Sequence, residues 1–217
     1  MSAITILCSD ADHPVNAWLE RWAEDHRAEH DVRLARKVAE VTSGDFLFLI
    51  SCSEIVRAPV RDRFRHSLVI HASDLPEGRG WSPHIWSVLR GDGELILSLL
   101  TCSDPVDSGD VFRKERVPLD GTETFDELNA RLFEAETRLM SWAIENCDRV
   151  TPEPQRGAPS HWPRRTPEDG RIPADAPFSE VFTLLRVSDP FRYPAFYDYR
   201  GQRFRIRLEK MGPVDED

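Results

Sequence analysis

The chain has 217 residues and carries 38 acidic against 28 basic side chains, a formal net charge of -10 at pH 7. Hydrophobic residues make up 40% of the sequence, enough to bury the core of one ordinary domain with a small extension. The acidic balance argues against nucleic-acid binding, because phosphate backbones attract basic surfaces, and it disfavours a tRNA substrate.

The cysteines and the N-terminal residues bear on the cellular compartment. The four cysteines are too far apart for a CxxC pair and too few for a disulfide scaffold, so we expect reduced, buried thiols. The opening MSAITILCSDADHP has no basic leader, and no run approaches the roughly 20 apolar residues of a membrane span. These features predict a cytoplasmic protein that does not bind membranes.

Strands and helices alternate through the first 150 residues. Ala3 to Cys8 is a short apolar run rich in β-branched residues, and apolar residues then recur at helical spacing from Val15 to Trp22. A capping box at 124–127 opens a long helix. Continuous apolar runs predict strands covered on both faces at 46–50, 68–70 and 95–100. We therefore predict an α/β fold with a mostly parallel central sheet and helices on both faces.

The amino-acid composition of the sequence changes near Thr151. Prolines, charges and glycines fill 151–173 and disfavour both a helix and a central strand, so an extended connection is expected there. Beyond it, apolar and basic residues alternate over 203–208 after the turn at Arg200-Gly201, which predicts a β-hairpin. We divide the chain into a catalytic domain, 1–150, and a connection with a C-terminal β-hairpin packing on it, 151–217.

Several classes of site can be excluded. The turn after the first strand reads SDADHP and lacks the Gly-x-Gly-x-x-Gly of a dinucleotide-binding domain, and no P-loop occurs. The histidines form no HExxH, and no Cys/His set has zinc spacing, so a catalytic metal is not indicated.

Two segments that follow predicted strands hold candidate reacting groups. LVIHASDLPEGRGWSPHIW, residues 68–86, leaves a buried strand at His71, and SLLTCSDPVDSGDVF, residues 98–112, ends in a turn with Asp107. Strand ends in open α/β sheets are where ligands bind. Taken singly, each segment has a plainer interpretation: His71 as a hydrogen-bonded histidine and 107–110 as an ordinary turn.

Taken together, the two segments resemble the formyltransferase family. There a strand ends in Asn-x-His, continues as Pro-Ser-Leu-Leu-Pro and Arg-Gly, and is followed by Asp-Thr-Gly-Asp. The matching stretches here are 69–71, 72–76, 79–80 and 107–110. A third match is Gln155 with Gly157 and RRTPEDGRI, which is similar to the family's Gln-x-x-Gly and Thr-x-Glu-Asp-Gly-x-Ile stretch.

The resemblance implies a Rossmann-like formyltransferase fold that binds 10-formyltetrahydrofolate along the C-terminal edge of the sheet. The alternative for residues 50–55 is that they are ordinary core residues with no part in binding. The resemblance implies that the folate is contacted by Ile50, Ser51, Cys52, Ile55, Ser73, Leu75, Gly78, Arg79, Gly80 and Asp107.

The same resemblance implies that His71 and Asp107 are catalytic. A neutral amine attacks the formyl carbon, which leaves negative charge on oxygen and a nitrogen that must lose a proton. An imidazole can move that proton, and a neighbouring carboxylate sets its protonation and orientation. His71 and Asp107 suit these two roles.

The sequence departs from the family at Val69, which replaces the Asn whose amide donates to the oxyanion. The pattern HxSxLPxGRGWSPxxW is similar to that of short formyltransferases acting on nucleotide-linked amino sugars, some in pseudaminic-acid-type pathways. In that subgroup the oxyanion site can be built differently.

The expected acceptor is a nucleotide-linked amino deoxysugar, because the tail LRVSDPFRYPAFYDYRGQRFRI resembles that of sugar formyltransferases. The residues expected to bind it are Trp81, Arg164, Arg165 and Arg192, with solvated surface arginines as the alternative. Two other functions stay open: a formyl-folate hydrolase and a noncatalytic folate-binding module. A homodimer is an open alternative for the assembly.

Overall fold

The computed structural model describes residues 1–214 and confirms the prediction of an α/β fold. Its strands are β1 (Ala3–Leu7), β2 (Asp31–Ala35), β3 (Gly44–Leu49), β4 (Phe64–His71), β5 (Arg79–Gly80), β6 (Glu94–Thr101), β7 (Val111–Pro118), β8 (His161–Trp162), β9 (Ala195–Tyr199) and β10 (Gln202–Ile206). Its α-helices are α1 (Asn16–His26), α2 (Ala58–Arg61), α3 (Pro83–Arg90), α4 (Phe125–Asn146) and α5 (Phe178–Val187). Short 3₁₀ helices occupy Val38–Glu40 and Pro167–Gly170.

The central sheet, as formed by the described residues, has six strands in the order β2-β1-β3-β4-β6-β7. β2, β1, β3 and β4 pair in parallel, whereas β6 runs antiparallel to β4 and β7 antiparallel to β6. The prediction of a mostly parallel sheet is therefore confirmed.

Both faces of the sheet are apolar, which explains the unbroken apolar run of β3. Phe46 and Phe48 face a large core that also takes residues from α1, α3 and α4. Leu47 and Leu49 point the other way, into a smaller cluster beside α2 and the first 3₁₀ helix. Successive side chains of a strand alternate between faces, so a strand covered on both sides needs apolar residues throughout.

The C-terminal part contains the predicted hairpin and one helix that the sequence did not predict. β9 and β10 pair antiparallel around Arg200-Gly201, which confirms the hairpin. α5 lies between the expected extended connection and the hairpin, and packs Leu185 against Ile172 and Ala195. It spans only 10 residues and follows a proline-rich stretch, so its helical spacing is a weak signal in the sequence. The division of the chain at residue 150 stays a prediction, and residues 215–217 of the proposed extension lie outside the described residues.

Candidate active site

Three strands of the sheet end or pass side by side where the candidate segments meet. Leu49 at the end of β3 lies beside Val69 of β4, and Val69 lies beside Leu100 of β6. The loops at 50–57, 72–82 and 102–110 therefore start from neighbouring points of the sheet. The two candidate segments, 68–86 and 98–112, therefore meet in this part of the sheet.

His71 is buried at the end of β4, with 8% of its surface exposed. Its Nε2 lies 2.9 Å from the carbonyl oxygen of Gly78 and its Nδ1 lies 3.6 Å from Oδ1 of Asp107. A carbonyl can only accept, so Nε2 carries a proton and donates it to Gly78. Nδ1 then faces the carboxylate across a gap longer than a direct hydrogen bond.

Asp107 is held by hydrogen bonds from a backbone N–H and from a side-chain amide. The backbone N–H of Gly80 donates to its Oδ2 at 3.0 Å, and its carbonyl accepts from the Gln155 side chain at 2.8 Å. Its own backbone has a φ of 59°, in the left-handed region that Asp tolerates better than most residues. The structure thus presents the carboxylate to His71 from a turn that these hydrogen bonds hold in place.

The proline-rich connection covers the loop that follows His71. β5 pairs in parallel with β8, and Ser160 accepts from the Gly78 backbone N–H at 2.9 Å. A side chain at Gly78 is not accommodated, because a Cβ there lies 2.6 Å from Nε1 of Trp162. The sequence predicted this connection as extended but gave no sign that it pairs with the site.

The residues predicted to contact folate fall into two groups. Ile50 is fully buried in the main core, so only its backbone can face a ligand, which supports the plainer alternative for its side chain. Ser51, Cys52 and Ile55 continue beyond β3, and Ile55 is 58% exposed. Val106, in the loop after β6, is also 58% exposed, so apolar side chains are present on both loops.

The remaining predicted folate contacts lie in the loop after β4. Gly78 and Gly80 contact His71 and Asp107 through their backbones, and Arg79 lies between them. Leu75 and Ser73 are buried beneath this loop. Among residues 1–214 the Ser73 hydroxyl has no hydrogen-bond partner, whereas its carbonyl accepts from Ser98 at 2.7 Å.

The predicted acceptor-binding residues are not gathered in one place. Trp81 is 43% exposed, and the Arg164 guanidinium lies over its ring at 4.7 Å. Arg165 donates to the carbonyl of Asp169 at 3.1 Å, and burial lowers its pKa. Arg192 instead pairs with the Asp10 carboxylate, so in this structure it ties the C-terminal segment to the loop after β1.

Two further imidazoles close to the site were not predicted. His84 stands in the first turn of α3, where burial, reinforced by His13, His71 and Arg165, lowers its pKa to about 4. Burial and Arg192 likewise lower the pKa of His13, against the opposing effect of its acidic neighbours. Both rings are therefore neutral at physiological pH. The sequence contains His84 within WSPHIW, but a lone histidine in a helix start carries no specific signal.

Val69 offers no polar side chain beside His71. It is half-buried on the side of the sheet that packs the smaller apolar cluster, together with Cys52 and Cys102. Residues two apart on a strand share a face, so Val69 and His71 point the same way. The face of β4 that carries His71 therefore presents an apolar side chain where the resemblance predicts an amide.

The described residues also bear on metal binding and membrane insertion. In the part of the chain that the structure describes, no group of three or more His, Cys, Asp or Glu side chains is arranged to hold a metal ion. Over the same residues, each helix is too short or too polar to cross a bilayer.

Comparison with known proteins places residues 6–144 under a family model described as Formyl transferase. A curated relative, the methionyl-tRNA formyltransferase of Sinorhizobium medicae, is 32% identical over 143 residues, which is 64% of this chain and 46% of that protein. The chain spans less than half the length of this relative. The methionyl-tRNA formyltransferases of Gluconobacter oxydans and Thermus thermophilus match at 32% and 29% identity, over 57% and 65% of this chain and 40% and 46% of those proteins.

Solved structures show the same fold at low sequence identity. Methionyl-tRNA formyltransferase from Clostridium thermocellum superposes with a TM-score of 0.82 at 22% identity, covering 98% of this chain and 94% of that chain. HypX from Aquifex aeolicus in complex with tetrahydrofolic acid gives 0.79 at 20% identity, covering 95% and 37%. A sugar N-formyltransferase from Shewanella sp. FDAARGOS_354 gives 0.72 at 14% identity, covering 99% and 100%.

Proposed function

Because the chain belongs to the formyl transferase family, we propose that it is an N-formyltransferase that moves a formyl group from 10-formyltetrahydrofolate to the amine of a nucleotide-linked amino deoxysugar. The observation that carries the proposal is the buried pair of His71 and Asp107, whose facing atoms Nδ1 and Oδ1 are 3.6 Å apart. Both residues lie in the segments that match the family's motifs.

The loops around this pair fit a folate. When bound, 10-formyltetrahydrofolate supplies a formyl carbon that a neutral amine can attack. The exposed apolar side chains of Ile55 and Val106 lie on the two loops beside the site, and they offer surface for a flat heteroaromatic ring. Backbone groups of 50–52 and of the loop around Asp107 are the proposed hydrogen-bonding partners of the ring.

The proposed role of His71 is proton transfer through Nδ1. Its Nε2 proton is held by Gly78, so Nδ1 is the ring atom left to take a proton from the attacking nitrogen. The imidazolium that results gains a favourable interaction with the Asp107 carboxylate. Asp107 in turn keeps its orientation through the Gly80 backbone N–H.

The net charge of the chain and an exposed tryptophan near the site support a nucleotide-linked amino sugar as the acceptor. A net charge of -10 opposes the long-range attraction of a tRNA, whereas a small nucleotide sugar needs only local contacts. Trp81 with Arg164 offers an exposed stacking surface, and Arg165 a cation beside His84. Arg192 is paired with the Asp10 carboxylate, so it can bind the acceptor only if that ion pair breaks.

A tRNA acceptor is the second candidate, because the curated relatives quoted above are methionyl-tRNA formyltransferases. Hydrolysis of formyl-folate and folate binding without turnover are the further alternatives, both motivated by Val69. We also propose a cytoplasmic protein that acts on small molecules, with a homodimer as one assembly to be tested.

The proposal is tested by following tetrahydrofolate release from 10-formyltetrahydrofolate with three acceptor conditions: nucleotide-linked amino sugars, charged initiator tRNA, and buffer alone. We expect turnover only with an amino sugar. Efficient formylation of the tRNA would replace the proposed acceptor, and release in buffer alone would identify a hydrolase. Calorimetry with 5-formyltetrahydrofolate measures binding independently of turnover.

A further inference from the structure

The side chain of Gln155 joins the two loops that hold the candidate catalytic pair. Its Nε2 donates to the carbonyls of Asp107 at 2.8 Å and Gly109 at 2.9 Å, and its Oε1 accepts from Nη2 of Arg79 at 2.6 Å. One amide thus uses both N–H groups on one loop and its oxygen on the other. The three partners lie 46 to 76 residues away in the sequence.

The turn that carries Asp107 depends on such support. Asp107 has a φ of 59°, in the left-handed region that most L-residues avoid. Gly109 lies close against the end of β6. A Cβ at position 109 would lie 1.8 Å from the carbonyl oxygen of Thr101. The Thr101 hydroxyl accepts from the backbone of Asp110 at 2.9 Å. Thr101 therefore fixes one side of the turn and Gln155 fixes the other.

The second loop supplies the groups that contact the pair. Arg79 lies between Gly78, whose carbonyl accepts from His71, and Gly80, whose N–H donates to the Asp107 carboxylate. A shift of Arg79 moves both neighbours, because consecutive residues share peptide planes. Gln155 therefore acts on the His71–Asp107 distance from both ends.

We propose that Gln155 is a positioning residue for formyl transfer, setting the distance and angle between the His71 imidazole and the Asp107 carboxylate. The proposal rests on the proposed function for its catalytic consequence. Its structural consequence, an altered environment of the His71 ring, does not depend on turnover.

The amide chemistry of Gln155 suggests the variants. Gln155→Glu keeps the shape and the acceptor for Arg79 but turns two donated hydrogen bonds into contacts between acceptors. Gln155→Met keeps the length and removes all three bonds without adding charge. Gln202→Glu is the matched control, since Gln202 is exposed on β10 in the C-terminal hairpin.

The first readout is steady-state kinetics with the amino-sugar acceptor. We expect Gln155→Glu to lower kcat by about 10²-fold, the loss that a misplacement near 1 Å can cause, with KM for the donor little changed. Gln155→Met should act in the same direction, and Gln202→Glu should leave both constants as they are. An unchanged kcat in a folded Gln155→Glu or Gln155→Met protein would overturn the proposal.

The second readout is the NMR signal of the His71 Cε1 proton without any substrate, identified by its loss in His71→Ala. We expect Gln155→Glu and Gln155→Met to move it in the direction that Asp107→Asn does, while Gln202→Glu leaves it in place. This comparison decides the positioning role even if the wild-type chain turns over no acceptor, an outcome that would remove the proposed function alone. If Gln155→Glu does not fold, Gln155→Met decides both readouts. A His71 signal that stays in place in a folded Gln155 variant contradicts the inference.

Discussion

At the scale of single residues, the proposed chemistry depends on contacts that leave only one nitrogen of His71 free to act. The Gly78 carbonyl accepts a hydrogen bond from Nε2, and Nδ1 faces the Asp107 carboxylate at 3.6 Å. Neither contact could be read from the sequence, because the tautomer of a histidine is set by whichever group its other nitrogen meets. The order and spacing of the two motifs do single out His71 and Asp107, which the structure brings within 3.6 Å of each other.

His71→Ala is expected to lower turnover by about 10²–10⁴, the range for loss of a positioned acid-base group, while folate affinity is largely kept. Asp107→Asn should act in the same direction. The matched control is His66→Ala, which removes another histidine of β4. Nε2 of His66 lies 2.7 Å from Oδ1 of a different aspartate, Asp148, away from the site. Near-normal turnover of His71→Ala on its true acceptor would rule out the proposed mechanism.

Val69→Asn restores the amide that the family carries beside the histidine. Because Val69 shares a face of β4 with His71, the new amide should reach the same pocket, and activity should stay equal or rise. Some loss of stability is expected, since Val69 packs against an apolar cluster. Initial rates and thermal melting measure the two effects separately. A large fall in kcat in a folded variant would mean that the oxyanion is stabilised by a differently built wall.

At the scale of elements, the sequence predicted best where local chemistry and periodicity agree. The capping box of α4 forms as expected, with Thr124 donating its backbone N–H to Glu127 at 2.8 Å. α5 was missed because its apolar spacing is short and its neighbours are rich in proline. The pairing of β5 with β8 was also missed, since two-residue strands have no periodicity to detect.

α4 also carries a buried carboxyl group that makes stability depend on pH. Burial raises the pKa of Glu136 to about 8 from an ordinary value of 4.5, and its Oε2 has no partner among the described residues. Between these two values the unfolded chain has lost the proton while the folded chain keeps it. Stability should therefore fall as pH rises through this window, by up to about 1.4 kcal/mol per unit.

Glu136→Gln removes this titration and should flatten the dependence of the free energy of unfolding on pH between about 5 and about 8. The variant should gain most over the wild type at the alkaline end of the window. Urea unfolding at several pH values measures it. Glu145→Gln, an exposed change on the same helix, is the control and should follow the wild type. Parallel wild-type and Glu136→Gln curves would show that Glu136 does not titrate in the window.

At the scale of the whole molecule, the C-terminal extension is joined to the sheet domain by a buried ion pair. Arg186 of α5 donates to the Glu123 carboxylate at 2.8 Å, and both side chains are almost fully buried. Arg131 also reaches Glu123, at 2.7 Å. The sequence could not predict this link, because the Arg186 guanidinium meets the carboxylate and the backbone carbonyl of a residue 63 positions away.

Arg186→Leu is expected to lower the free energy of unfolding by about 3 kcal/mol. This is the lower end of the range for breaking a buried pair, because Arg131 still neutralises Glu123. Denaturant unfolding measures the change, and Arg205→Leu, on the exposed surface of β10, is the matched control with little expected effect. Equal losses in the two variants would mean that Arg186 contributes no more than a surface arginine.

The most direct test of the central claim is to follow the carbon itself, using 10-formyltetrahydrofolate labelled with ¹³C in the formyl group and a nucleotide-linked amino sugar as acceptor. We expect the label in a formamide on the sugar nitrogen, in a one-to-one ratio with released tetrahydrofolate, and about 10²–10⁴ times slower formation of that product by the His71→Ala variant. Label recovered as free formate at the same rate with and without the amine would contradict transfer and identify the chain as a hydrolase.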